Sequence, residues 1–215
     1  MTDRGLRIEI YSDVVCPWCY IGKRRLERAL DQLDGAAPAR ITWRPFQLNP
    51  TMPRDGMDRT TYLEAKFGSL DAFRQMEEHV LAAGAAERIP FAFEKVARTP
   101  NTFMAHRLIW YAEQQGRQDA AVESLFRGYF TEGVDIASVP VLSQLACRAG
   151  LDAAAVELFL QREEGATEVK ADEAVGHRLD IRGVPYFVIN GSISISGAQP
   201  PDIFVSAIRQ AEKQS

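Results

Sequence analysis

The stretch Leu6-Arg7-Ile8-Glu9-Ile10-Tyr11-Ser12-Asp13-Val14-Val15-Cys16-Pro17-Trp18-Cys19 decides how the chain is read. Residues 6–12 alternate and are rich in strand formers. Asp13-Val14-Val15 makes a short loop, and from Trp18 to about Leu33 the spacing becomes helical. Ile21, Leu26, Leu30 and Leu33 form the apolar side, with Lys23, Arg24, Glu27, Arg28 and Asp31 on the wet side. Pro17 suits the first turn, where its missing N–H costs nothing, and Gly35 supplies a stop. A second strand is expected over 39–46, held to the core by Ile41, Trp43 and Pro45 or Phe46. Strand–helix–strand implies a parallel pair with a crossover helix.

Two cysteines two residues apart have two common uses. A zinc site needs a second ligand pair, and Cys147, His79, His106 and His177 stand isolated, so no metal is expected. The other use is reversible dithiol–disulfide chemistry, which needs a nucleophilic thiolate and a second thiol to resolve the mixed disulfide. At the start of a helix, free N–H groups and the positive helix end favour a thiolate at Cys16. Cys19 lies one turn further in, facing the same sulfur. Far downstream, Val184-Pro185 opens another strand. Proline cannot donate to a ladder there; the position suits a plain strand start or a tight cis turn that leaves the Val184 backbone open for an extended substrate or glutathione.

Working outward, Asn49 to Gly56, with Pro50 and Pro53, reads as a linker, and the texture then turns helical. Helices are expected over 70–83 (capped by Ser69, ended by Gly84), from Asn101 or Thr102 to about Gly116, and over 118–131, 139–149, 153–162 and 167–179. Gly133 and Gly150 serve as stops and Asp152 as a cap. Residues 87–99 are an apolar connection without clear period. Strand character returns at 185–190; Asn190-Gly191 is a two-residue hairpin signal, Ser192 to Ser196 alternates, and a last helix covers 201–213. The order is βαβ, about 120 residues of helix without strand alternation, then ββα.

Length and composition agree with one large domain or a domain with an insertion. The chain has 215 residues, 46% of them hydrophobic, enough for a core without staples. Charge is nearly balanced, 25 basic against 29 acidic residues. Its densest basic run, Lys23-Arg24-Arg25, reads as a solvated helix face, so nucleic acid is not expected as a partner. No apolar run is long enough to span a bilayer, so no membrane is expected. The opening residues lack a signal-peptide pattern, giving cytoplasmic as the expected address.

Cys16-Pro17-Trp18-Cys19 with Tyr20-Ile21-Gly22 after it, and Gly183-Val184-Pro185 far downstream, resembles the DsbA-like thioredoxin superfamily. Ser12-Asp13-Val14-Val15, Pro45 to Pro50, Asn101-Thr102, Ala105 to Leu108 and Gly197 to Pro200 extend the likeness to the cytoplasmic FrnE-like branch. That branch is related to 2-hydroxychromene-2-carboxylate isomerases and kappa-class glutathione transferases. The resemblance implies an α/β thioredoxin-like fold (βαβ…ββα) interrupted by an all-helical insertion, divided as 1–52, 53–178 and 179–215. It implies that Cys16 attacks, Cys19 resolves and Pro185 is a cis-proline, in a protein-disulfide oxidoreductase acting on protein or small-molecule disulfides or dithiols. No cofactor is expected to be tightly bound, with glutathione the candidate co-substrate; the assembly is monomer or homodimer.

The isomerase and transferase relatives carry serine in place of Cys16, which sets a glutathione-dependent isomerase or transferase second and a non-catalytic binding module third. Thioredoxins carry a buried acid in the strand before the motif; here Ile10 is apolar, leaving Asp13 and Glu9 as candidate proton relays. Trp18, Val184, Asn49 and His106 are the candidate substrate contacts. For Trp18 the competing role is packing at the helix start, for Asn49 a turn before Pro50, and for His106 a place in the core. Cys147, beside Leu145 and Ala146, reads as a buried small hydrophobe.

Overall fold

The computed structural model describes residues 5–33 and 39–214. Strand β1 (Arg7–Ser12) leads through helix α1 (Pro17–Asp31) to β2 (Arg40–Pro45). The two strands run parallel, Arg7 opposite Arg40 and Ser12 opposite Pro45. Two antiparallel strands near the C-terminus, β5 (Tyr186–Ile189) and β6 (Ile193–Ser196), complete a sheet of order β2-β1-β5-β6. Asn190 and Gly191 both take positive φ, 48° and 71°, as a two-residue turn matched to strand twist requires. The chain closes with α9 (Pro201–Gln214). This is the thioredoxin-like core that the resemblance implies, opening with the parallel strand pair and crossover helix that the periodicity predicts.

Period-two alternation sorts the sheet's faces. Ile8 and Ile10 stand opposite Ile189 and Phe187, all four buried, and Phe187 meets Phe204 of α9 edge-on at 4.7 Å. A Cβ on Gly22 would lie 3.0 Å from Pro185 Cγ and 3.1 Å from Phe187 Cζ; glycine there lets α1 approach β5 closely. On the opposite face, Tyr11 packs against Gly176 of α8 (Ala166–Arg178).

Between β2 and β5 the chain is mainly helical: α2 (Arg59–Phe67), α3 (Leu70–Ala86), α4 (Phe103–Gln114), α5 (Gln118–Arg127), α6 (Val139–Arg148), α7 (Ala153–Gln161) and α8. Asp152 caps α7 by accepting from Ala155 N–H at 2.9 Å. Four expectations change. A short antiparallel pair, β3 (Met57–Asp58) with β4 (Arg98–Thr99), ties both ends of the α2–α3 hairpin together. Helix α2 was not expected as a separate element; the Asp58 carboxylate caps it and Gly68 ends it. Helix α3 runs through Gly84, where a Cβ would strike the Phe91 ring at 2.3 Å; that glycine serves packing, not termination. Helix α5 ends at Arg127 and widens into one π turn over Gly128–Glu132, which stops at Gly133. The expected stop at Gly35 lies outside the described residues, and α1 is capped at Gln32.

Two side-chain readings also change. Lys23-Arg24-Arg25 is no solvated face. The Lys23 side chain is 4% exposed, paired with Glu27 and, at 3.1 and 3.3 Å, with Asp119 and Glu123 of α5. Arg24 also pairs with Glu123, and Arg25 and Arg28 hold Glu87 at 3.0 and 2.8 Å. The insertion thus covers α1 and supplies the counter-charges. Cys147 is exposed; α6 buries Leu142, Leu145 and Ala146, and the next position turns outward.

Candidate active site

The loop after β1 sets the first cysteine at a helix start. Cys16 N–H donates to Asp13 O at 3.0 Å, Cys19 N–H donates to Cys16 O at 3.0 Å, and extended Cys16 is the N-cap of α1 with Pro17 next. Both residues are free thiols. Cys16 is 5% exposed and borders a groove, whereas Cys19 is 0% exposed. Burial pushes the Cys19 thiol well up, and its hydrogen bond and charge coupling with Cys16 push it further; the Ser12 hydroxyl and the Asp13 backbone oppose this. A thiol so held stays protonated at neutral pH.

Val184 reaches the same place from the other end of the chain. Its carbonyl accepts from Cys16 Sγ at 3.5 Å. The Val184–Pro185 bond is cis, Pro185 O accepts from Gly197 N–H at 2.8 Å, and among the described residues, chain neighbours aside, no atom lies within 4 Å of where a Cβ on Gly183 would sit. Space is therefore free beside Gly183, one residue from the carbonyl that Cys16 contacts.

The matched family is the DSBA-like thioredoxin domain, over residues 7–209. The chain belongs to this family. A probable DsbA oxidoreductase from Streptomyces coelicolor is 35% identical, with a TM-score of 0.90 over 98% of this chain and 91% of that one. The uncharacterized protein YwbO of Bacillus subtilis is 27% identical, over 97% of this chain and 98% of its own. A cytosolic disulfide reductase, DsbM of Pseudomonas aeruginosa, solved with GSH, shares the fold at 16% identity, with a TM-score of 0.63 over 97% of this chain and 96% of that one. The DsbA-like domain described here is a thiol–disulfide oxidoreductase acting through Cys16 and Cys19.

The helical insertion of this DsbA-like domain walls a groove of about 200 Å³ over Cys16. Trp18, Leu48 and Asn49 line one side, and Leu63, Phe73 and Val80 of α2 and α3 line the other. Trp18 is half-buried. Asn49 Oδ1 accepts from the Tyr62 hydroxyl at 2.9 Å, which itself accepts from Lys66 Nζ at 2.7 Å.

His106 does not join this groove. It is 3% exposed, and its Nε2 lies 3.3 Å from Asp13 Oδ1, so it belongs to the packing behind the motif. Asp13 is fully buried and accepts from Leu48 N–H at 2.7 Å, linking the loop before Cys16 to the groove wall. Glu9 instead pairs with Arg44 at 2.9 Å, on the face of β1 away from Ile8 and Ile10. Arg59 and Thr99, which also line the groove, carry no signal in the sequence. Asp58 followed by Leu63 and Phe67 four apart, then Gly68, could have revealed α2. Nothing local says that it faces Cys16.

Proposed function

We propose that the chain is a FrnE-like oxidoreductase of the cytoplasm in which Cys16 attacks and Cys19 resolves. In this reading the backbone at Val184 and the side chains of Trp18 and Asn49 contact the substrate, and glutathione serves as thiol co-substrate. The observation that carries the roles is the asymmetry of the pair: Cys16 on the groove at a helix start, Cys19 behind it at 0% exposure with a raised thiol. Compartment and co-substrate draw support from the likeness to the cytosolic reductase solved with GSH. The His106 side chain, buried against Asp13, is left out of the contact set.

Attack by Cys16 on a disulfide gives a mixed disulfide, and Cys19 then expels the partner. Removing Cys19 deletes the escape route. In a Cys147→Ser background, needed because Cys147 is exposed, Cys19→Ser should accumulate covalent complexes with oxidised glutathione or extract proteins. Cys16→Ser should accumulate few and lose reductase activity. Non-reducing gels and intact mass measure both; undiminished activity in Cys16→Ser would overturn the assignment.

A further inference from the structure

Resting on the thiol–disulfide reading above, we infer that the groove over Cys16 binds one half of a small disulfide whose sulfur carries an apolar, ring-sized body ending in a carboxylate. Size comes first. The cavity is about 200 Å³, and an apolar cavity of roughly 150 Å³ takes up a benzene, so the space suits one substituted ring rather than a peptide segment. Trp18, Leu63, Phe73, Val80 and Phe130 line it, a surface complementary to a ring.

The polar groups in that wall define the other end of the ligand. The Thr99 hydroxyl, in a residue 3% exposed, makes no hydrogen bond of ordinary geometry among the described residues, although it stands beside the Tyr129 hydroxyl. A buried hydroxyl left unpaired is costly, and a ligand oxygen would satisfy it. Arg59, with a side chain 16% exposed, makes a long ion contact, 3.8 Å to Glu77 of the same groove, and stands beside the Tyr129 hydroxyl. Its guanidinium otherwise rests over the Phe73 and Phe93 rings at 5.6 and 5.5 Å. The Tyr129 hydroxyl, whose hydrogen bond to Arg98 O is long at 3.4 Å, is pushed up to about 12 by burial against the opposing pull of Arg59 and Thr99 beside it, and stays a donor. A planar cation with two hydroxyls beside it, in an apolar wall, matches a carboxylate, which accepts the guanidinium fork and both O–H groups.

The chemistry balances without a further cofactor. Cys16 attacks the ligand's near sulfur; the S–S bond breaks and the first thiolate leaves with its electron pair. Cys19 then attacks Cys16 Sγ, a second thiolate leaves, and the two protons of the cysteine pair end on the two released thiols. The protein has lost two electrons and holds a Cys16–Cys19 disulfide, which two equivalents of an external thiol such as glutathione reduce, leaving as their own disulfide.

The test compares dithiodibenzoate with its neutral bis-amide, each rate divided by that of the same disulfide with free dithiothreitol. The native sequence should favour the acid by about tenfold in kcat/KM, mainly through KM, as expected for one charge-assisted contact. Arg59→Gln should bring that ratio toward one, Arg59→Lys should retain part of it, and Thr99→Val should lower it severalfold. A ratio near one in the native protein, or a ratio unmoved in Arg59→Gln and Thr99→Val, overturns the inference. If Arg59→Gln fails to fold, the native ratio and Thr99→Val decide. Cys16→Ser with hydroxyethyl disulfide tests the exchange chemistry separately: loss of that activity keeps the oxidoreductase reading standing whatever the acid-to-amide ratio is.

Discussion

Three positions separate Cys16 from Cys19, yet one sulfur borders a groove at a helix start and the other is sealed behind it. The raised Cys19 thiol gives a prediction at this scale. In the reduced protein at about pH 8, iodoacetamide should modify Cys16 and Cys147 first, with Cys19 slower by about tenfold or more. Because the neutral thiol is favoured at Cys19, its rate should climb only above the ordinary thiol value of 9.0. Peptide mass mapping over a time course measures each site, and equal rates at Cys16 and Cys19 would contradict the asymmetry. Spacing alone exposed the dithiol, because both cysteines act through local geometry. His106 was not legible in the same way: whether it meets a cleft or Asp13 depends on how α4 packs behind β1.

At the scale of elements, β2 is an edge strand that needs a partner for its outer backbone groups. Gln118, the first residue of α5, supplies one. Its Oε1 accepts from Trp43 N–H at 2.9 Å and its Nε2 donates to Trp43 O at 3.0 Å, while Trp43 Nε1 donates to Asp119 at 3.0 Å. One side-chain amide thus imitates a neighbouring strand. Gln118→Leu keeps the volume but leaves two buried backbone groups unpaired. It should cost about 2 kcal/mol in urea unfolding, whereas Gln118→Glu, keeping one acceptor, should still pair with the N–H. An unchanged midpoint in Gln118→Leu would show that water reaches the edge. The amphipathic spacing predicts a helix at 118–131 but not that its first residue caps a strand 75 positions earlier.

Across the whole molecule, α1 is joined to the insertion by acids of α5 and of the turn after α3. Burial alone would raise Glu87 and Glu123, but hydrogen bonds from Arg28 and Arg25 to Glu87, and from Arg24 to Glu123 with the charge of Lys23 beside it, hold both carboxyls below their ordinary value of 4.5. A carboxyl lowered by folding gives stability that is complete above its unfolded value and lost as pH falls through the lowered one. Urea midpoints should therefore hold from about pH 7 to about pH 5 and fall below about pH 4.5. Glu87→Gln and Glu123→Gln should flatten that acid limb, and Glu87→Gln should cost about 1–3 kcal/mol at neutral pH. An acid limb of the same slope in both variants would place the sensitivity elsewhere.

By itself, the sequence determined the elements whose signals are local. Period-two alternation marked β1 and β6, Asn190-Gly191 marked the hairpin, and the Cys16–Cys19 spacing after a strand marked the redox pair, because each depends on neighbours within one turn or one strand. Tertiary structure alone decided what distant segments do to one another. It placed α2 and α3 over Cys16, turned Lys23 from a solvent-facing charge into a buried ion-pair member, and gave Gly84 to the Phe91 ring rather than to a helix stop. It also gathered Arg59, Thr99 and Tyr129 beside the groove. Burial and charge pairing across long sequence separations are properties of packing; a chain pattern records which residues could be buried, and the fold chooses their partners.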